Sequence, residues 1–205
     1  MTKKKYSVHS VSYGGLFMKF FDLFEIRSGV PIRQAYEKMA AGGTPVIVPK
    51  VVDIQKGIDY SQIKGLDMAF KPLHLLEGGE ILFCTKGTIK AAVYEKQERA
   101  HIASSAFLVL TPKVNVYSAY IAAFLNSEMM RENYRSATNG ATIPSLPISY
   151  VRDMEIALPS LEKQRFAVDL LSLYNKKLAL LNRQAELENG MKNVLSKKIF
   201  TGDLA

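Results

Sequence analysis

From Leu161 to Phe200 the chain reads LEKQRFAVDLLSLYNKKLALLNRQAELENGMKNVLSKKIF, without proline, with one glycine, and with apolar residues returning every three or four positions. This spacing predicts one long helix. Its start is well specified: Ser160 is suited to cap it, Pro159 keeps the preceding chain extended, and Glu162 sits in the first turn, where the helix dipole favours a carboxylate. Lys197 and Lys198 lie in its last turn and Gly202 just beyond. Gly190 is its weak point, costing roughly 1 kcal/mol against alanine.

Two apolar stripes run along this segment. One consists of Ala167, Leu171, Tyr174, Leu178, Leu181 and Ala185; the other is Leu170, Leu173, Leu180, Leu187 and Val194, interrupted by Lys177 and Gln184. One stripe is enough to seat a helix on a domain. A second needs another surface, and at 1.5 Å per residue the helix is roughly 60 Å long, more than the diameter of a small domain. A partner helix in an antiparallel coiled coil or small bundle is therefore expected.

The remaining chain is long enough for one core, so the expected fold class is α+β: a mixed globular body over residues 15–159 and a helical arm over 160–200, between a mobile basic leader (1–14) and a short tail (201–205). No eighteen-residue apolar run exists, and Lys19 and Asp22 interrupt the apolar stretch of the leader region, so neither a membrane span nor a signal peptide is expected. A cytoplasmic location follows by default. The single Cys84, inside the apolar run ILFC, reads as a packing residue. Residues 161–205 hold eight Lys and Arg against five Asp and Glu, so +3 of the formal +8 lies there and +5 in the body. A basic body permits nucleic acid as a partner.

Along the body, FDLFEIRSG alternates like a half-buried strand ending at Gly29, and PIRQAYEKMAAGG reads as a short helix opened by Pro31. PVIVPKVVDI supplies one or two strands broken at Pro49, and residues 55–78 form a long polar connection. GGEILFCTKGTIKAAVY reads as two strands joined at Lys86-Gly87, and AFLVLTP as another strand. Tyr117 to Arg135 returns to helical spacing as two helices meeting near Ser127; SATNGATIPSL is a loop and MEIALP a last strand.

Enzyme signatures are absent. There is no phosphate-binding glycine loop, no G-x-S-x-G elbow, no H-E-x-x-H and no metal-spaced Cys/His cluster, so no cofactor or metal is expected. His9, His74 and His101 are far apart and lack a neighbouring acid pattern, and a hydrolase built on Cys84 or a histidine would need that group exposed in a pocket. The positive signal is a set of basic residues at turns and element ends: Arg33, Lys50, Lys56, Lys64, Lys71, Lys86, Lys90, Arg131 and Arg135, interleaved with Gln55, Tyr60, Thr138 and Asn139. Lys and Arg suit phosphate positioning, while Arg, Asn and Gln suit base-edge readout.

The junction TNGATIPSLPISYVRDMEIALPSLEKQRFAVDLL resembles that of specificity subunits of Type I restriction-modification systems, through Gly140, Leu158, Pro159, Leu161, Glu162 and Gln164, with Lys163 where a second acid is usual. FDLFEIRSGVPI, the central hairpin, VYSAYIAAFLNS and the closing KKIFTGDL are similar to the family in the same order. With one recognition domain and one spacer helix, the chain resembles a half-size subunit. The resemblance implies a non-catalytic protein that reads double-stranded DNA and docks methyltransferase subunits, with a restriction subunit as a further partner. As a homodimer paired through Leu171, Tyr174, Leu178, Leu181 and Ala185, it would read a bipartite palindrome. On this reading Gln55, Lys56, Lys86, Lys90, Arg131, Arg135 and Asn139 contact DNA. The alternative is a coiled-coil interaction module that modulates such a complex without reading sequence.

Overall fold

The computed structural model describes residues 16–32, 39, 42–138 and 145–202. The expected leader, most of the helix after Pro31, and Asn139 and Gly140 lie outside these residues. The chain divides into two compact units, 1–164 and 165–205.

At the centre of the first unit lies a four-stranded antiparallel sheet in the order β2 (Phe24–Ser28), β10 (Phe107–Pro112), β7 (Ile81–Cys84) and β8 (Lys90–Val93). The unbroken apolar runs ILFC and FLVL arise because this sheet is covered on both faces. Alternate residues serve two cores. Ile81, Phe83, Leu108, Leu110 and Ala91 enter one, with Phe20, Leu23, Ile121, Leu125 and Tyr134. Leu82, Cys84, Phe107, Val109 and Ala92 enter the other, with Val46, Ile47, Tyr94 and Ile102.

The second core is closed by a three-stranded sheet of β6 (Lys64–Leu66), β3 (Thr44–Ile47) and β9 (Ile102–Ala103), in which β3 pairs antiparallel to β6 and parallel to β9. A 3-10 turn at Pro49–Val51 breaks the chain after β3, where Pro49 was expected to break it, and leads into a small hairpin of β4 (Val52–Asp53) and β5 (Gly57–Ile58). Gly29 lets the chain pass close to β9, since a Cβ there would lie 2.2 Å from the Ser104 carbonyl oxygen.

Helices close the first core. α2 (Ser118–Leu125) and α3 (Glu128–Ala137) meet at Ser127, whose hydroxyl accepts from the Met130 N–H at 3.3 Å to cap α3. Asn126, between them, accepts from the Ala91 N–H and donates to the Ala91 carbonyl, both at 2.8 Å, which satisfies the outer edge of β8.

Three local expectations need correction. FDL, residues 21–23, is not strand: Phe20–Leu23 forms a short helix, α1, because Phe20 and Leu23, three positions apart, are both fully buried, and the strand begins only at Phe24. Before it, β1 (Leu16–Lys19) pairs antiparallel with β11 (Glu155–Leu158). The connection 55–78 contains β5, β6 and two 3-10 turns, and α4 (Ile148–Asp153) lies where no element was expected.

α5 (Leu161–Thr201) is one continuous helix of 41 residues. In its first turn Gln164, 1% exposed, accepts from the Tyr117 N–H at 2.8 Å and donates to the Pro159 carbonyl at 2.7 Å. The junction glutamine is thus a structural clamp between the entry to α2 and the end of β11. Gln164→Ala leaves two backbone groups without their partner and lowers body stability by roughly 2–3 kcal/mol in urea unfolding; a loss under ~0.5 kcal/mol contradicts the clamp. Beyond Ala167 the apolar residues of both stripes are exposed, among them Leu170, Leu171, Leu178 and Leu180. Among the described residues no helix is long and apolar enough to cross a membrane.

Candidate nucleic-acid interface

Three segments of the body converge on one open cleft of about 400 Å³. The hairpin turn contributes Ile54, the loop between β7 and β8 contributes Gly87, Thr88 and Ile89, one face of α3 contributes Arg131, Tyr134 and Arg135, and Thr138 follows at its end.

Each wall is held by an identifiable contact. In the hairpin turn the Asp53 carboxylate accepts from the N–H groups of Gln55 and Lys56, both at 2.8 Å, and these bonds hold its carboxyl below the usual carboxylate range, that to Lys56 foremost. Gln55 and Lys56 are exposed at the tip. Lys90 ties the hairpin to the sheet by donating to the Val52 carbonyl at 2.5 Å. In the β7–β8 loop Gly87 adopts φ 76°, a left-handed conformation that suits glycine, and Lys86 beside it is exposed.

α3 is anchored by Tyr134, which is buried, donates its hydroxyl to the Leu125 carbonyl at 3.1 Å and packs its ring 5.8 Å from that of Phe83. Burial keeps this phenol protonated, pushing its pKa far up. With that side fixed, Arg131 and Arg135, one turn apart, line the cleft. Both guanidinium groups lie beside the Glu128 carboxylate, at 3.3 and 3.4 Å.

Of the seven residues expected to contact DNA, Arg131 and Arg135 line the cleft itself, Gln55 and Lys56 follow Ile54 at its hairpin wall, and Lys86 and Lys90 flank its loop wall. Asn139 lies outside the described residues. Sequence reasoning missed Thr88, Tyr134 and Glu128. The i, i+3 and i, i+7 spacing of Glu128 to Arg131 and Arg135 was the available signal, given that 128–137 is helical.

Cys84 and His101 lie elsewhere. Cys84 is fully buried, its thiol donates to the Lys86 carbonyl at 3.3 Å, and burial pushes its pKa up. His101 is buried between the Arg99 carbonyl at 2.8 Å and the Tyr94 hydroxyl at 3.2 Å, and burial pushes its pKa down. Among the described residues no group of His, Cys, Asp and Glu is arranged to hold a metal ion.

The model of the family described as the Type I restriction modification DNA specificity domain matches residues 17–189. The chain belongs to this family. Its relatives from Methanocaldococcus jannaschii include a specificity subunit assigned to the type I restriction enzyme MjaX, 27% identical over 88% of this chain and 44% of the relative. The type I restriction enzyme MjaIX specificity subunit is 24% identical over 82% of this chain and 40% of its own length. Among solved structures, the HsdS subunit from Thermoanaerobacter tengcongensis superposes with a TM-score of 0.63 at 17% identity, covering 96% of this chain and 47% of that one. A chain from a study of assembly and conformational transition of a type I R-M system superposes with a TM-score of 0.67 at 17% identity, over 93% of this chain and 46% of that one. The chain thus spans about half the length of the relatives it matches, and it shares their α+β fold with a long helix following the body.

Proposed function

We propose that this specificity domain reads the sequence of double-stranded DNA, with the cleft between the hairpin turn, the β7–β8 loop and α3 as the phosphate-positioning part of the interface. The observation that carries this reading is the convergence of Arg131 and Arg135 with two exposed loops bearing Gln55, Lys56 and Lys86. Arginines on a rigid helix suit phosphate contacts, and side chains on loops beside them suit base edges.

The exposed stripes of α5 extend the proposal to assembly. The stripe Leu171, Tyr174, Leu178, Leu181 and Ala185 alternates steps of three and four, the heptad pattern of a coiled coil, and it pairs with the same helix of a second copy in antiparallel fashion. Two recognition domains related by a two-fold axis then read an interrupted palindrome, with the helices setting the distance between its halves. Methylation belongs to a methyltransferase subunit docked on this assembly, which takes the target base out of the stack; a restriction subunit joins through the same complex.

Salt dependence tests the electrostatic part. Binding through Z phosphates gives a log–log slope near −0.9Z, and Arg131→Ala with Arg135→Ala lowers its magnitude by up to ~2. A flat salt response contradicts the proposal. The same exposed stripes favour a second reading, in which the chain is an interaction module of a larger assembly; it predicts self-association with no sequence preference on DNA.

A further inference from the structure

We infer that Glu128 occupies, in the protein without DNA, the position taken by a backbone phosphate when duplex DNA enters the cleft, and is displaced by it. The inference rests on the DNA-reading proposal and adds a residue that restrains binding to DNA in general.

One carboxylate bridges both cleft arginines. Its Oε2 lies 3.3 Å from Nη1 of Arg131 and its Oε1 3.4 Å from Nη1 of Arg135. A phosphodiester likewise presents two anionic oxygens to guanidinium donors. The two arginines and Glu128 together carry +1 instead of +2, and the pair of guanidinium groups is drawn to a single point before any ligand arrives. Both ion pairs are exposed, so each is worth little in water and a phosphate displaces the carboxylate readily. The anchoring of α3 through Tyr134 keeps the three side chains on a fixed element.

The consequence concerns discrimination. Phosphate contacts carry no sequence information and supply most non-specific binding. A carboxylate that competes for the arginines penalises every duplex equally, leaving base contacts to decide which one stays bound.

The test is Glu128→Gln in the full chain, with 30-bp duplexes of random sequence as probe, followed by fluorescence anisotropy between 50 and 200 mM KCl. Removing a carboxylate that a phosphate must otherwise displace tightens binding by roughly five- to ten-fold, the worth of two exposed ion pairs. Glu132→Gln on the same helix removes an equal charge from a residue that does not bridge the two arginines and shifts affinity less than ~2-fold. Placed on Arg131→Ala with Arg135→Ala, Glu128→Gln has no further effect, because it acts through those arginines. Equal effects of the Glu128 and Glu132 substitutions overturn the inference, as does tightening that persists without the arginines. If the arginine double variant binds as well as the unsubstituted protein, the cleft reading itself fails and the inference with it. An inert Glu128→Gln beside a weakened arginine variant overturns the inference alone. Unchanged thermal unfolding establishes that each variant is folded.

Discussion

On the proposed pairing of α5, replacing Leu171 and Leu178 together by aspartate converts the dimer into a monomer while the body unfolds unchanged. Both leucines are about half exposed on α5, at 51% and 56%, although each is a large apolar group on one regularly spaced stripe. Burying a leucine side chain stabilises by about 1.5–3 kcal/mol, and a two-fold pairing buries each position twice. The double substitution removes four such contributions and brings four carboxylates to the seam, so dimer affinity falls by more than ~10⁴-fold. Sedimentation velocity at micromolar protein measures this. A double variant that still sediments as a dimer shows that the seam lies elsewhere, with the stripe of Leu170, Leu173 and Leu180 the next surface to change.

Glu80→Ala produces a large loss of body stability. Glu80 opens β7, is 3% exposed, and gathers donors from three directions: Nη2 of Arg27 on β2 lies 2.9 Å from each carboxylate oxygen, the Thr111 hydroxyl of β10 donates at 2.5 Å and the Glu77 N–H at 2.9 Å. Arg27 also donates to the Leu75 carbonyl at 3.2 Å. Removing the carboxylate strands a guanidinium only 23% exposed. Breaking a buried pair costs about 3–5 kcal/mol, and the partial exposure of Arg27 favours the lower end, about 3 kcal/mol. In a unit of this size that lowers the melting temperature by roughly 6–12 °C. The chain lacks tryptophan, so tyrosine fluorescence is the probe. A loss below about 1 kcal/mol contradicts the role assigned to this network, and Glu80→Gln retains part of it by preserving one acceptor.

The parts of the fold legible in the sequence are those with strong local patterns. The apolar period of 161–200 gives α5 to within one residue, and Ser127 marks the meeting of α2 and α3 because its hydroxyl suits a cap. ILFC and FLVL read as strands, but only the structure reveals that their alternate residues serve two cores. α1 and α4 escaped because four and six residues are too few to establish a helical period. The short elements within 55–78 depend on distant partners, as where the Leu76 N–H reaches the His101 carbonyl at 2.8 Å.

The candidate site divides in the same way. Basic residues at turns are visible one segment at a time, whereas the approach of residues 54–56 to 86–90 and 131–135 is a product of tertiary packing. Lys90 illustrates the limit, since its side chain reads as another surface cation until its bond to the Val52 carbonyl is seen.

Selection from a pool of random DNA duplexes, using the chain together with a methyltransferase subunit of a type I system, tests DNA reading most directly. Enrichment of an interrupted palindrome is the predicted result, with two identical half-sites at a fixed spacing. A single unrepeated half-site retains DNA reading and removes the two-fold assembly. No enrichment of any sequence contradicts the central claim.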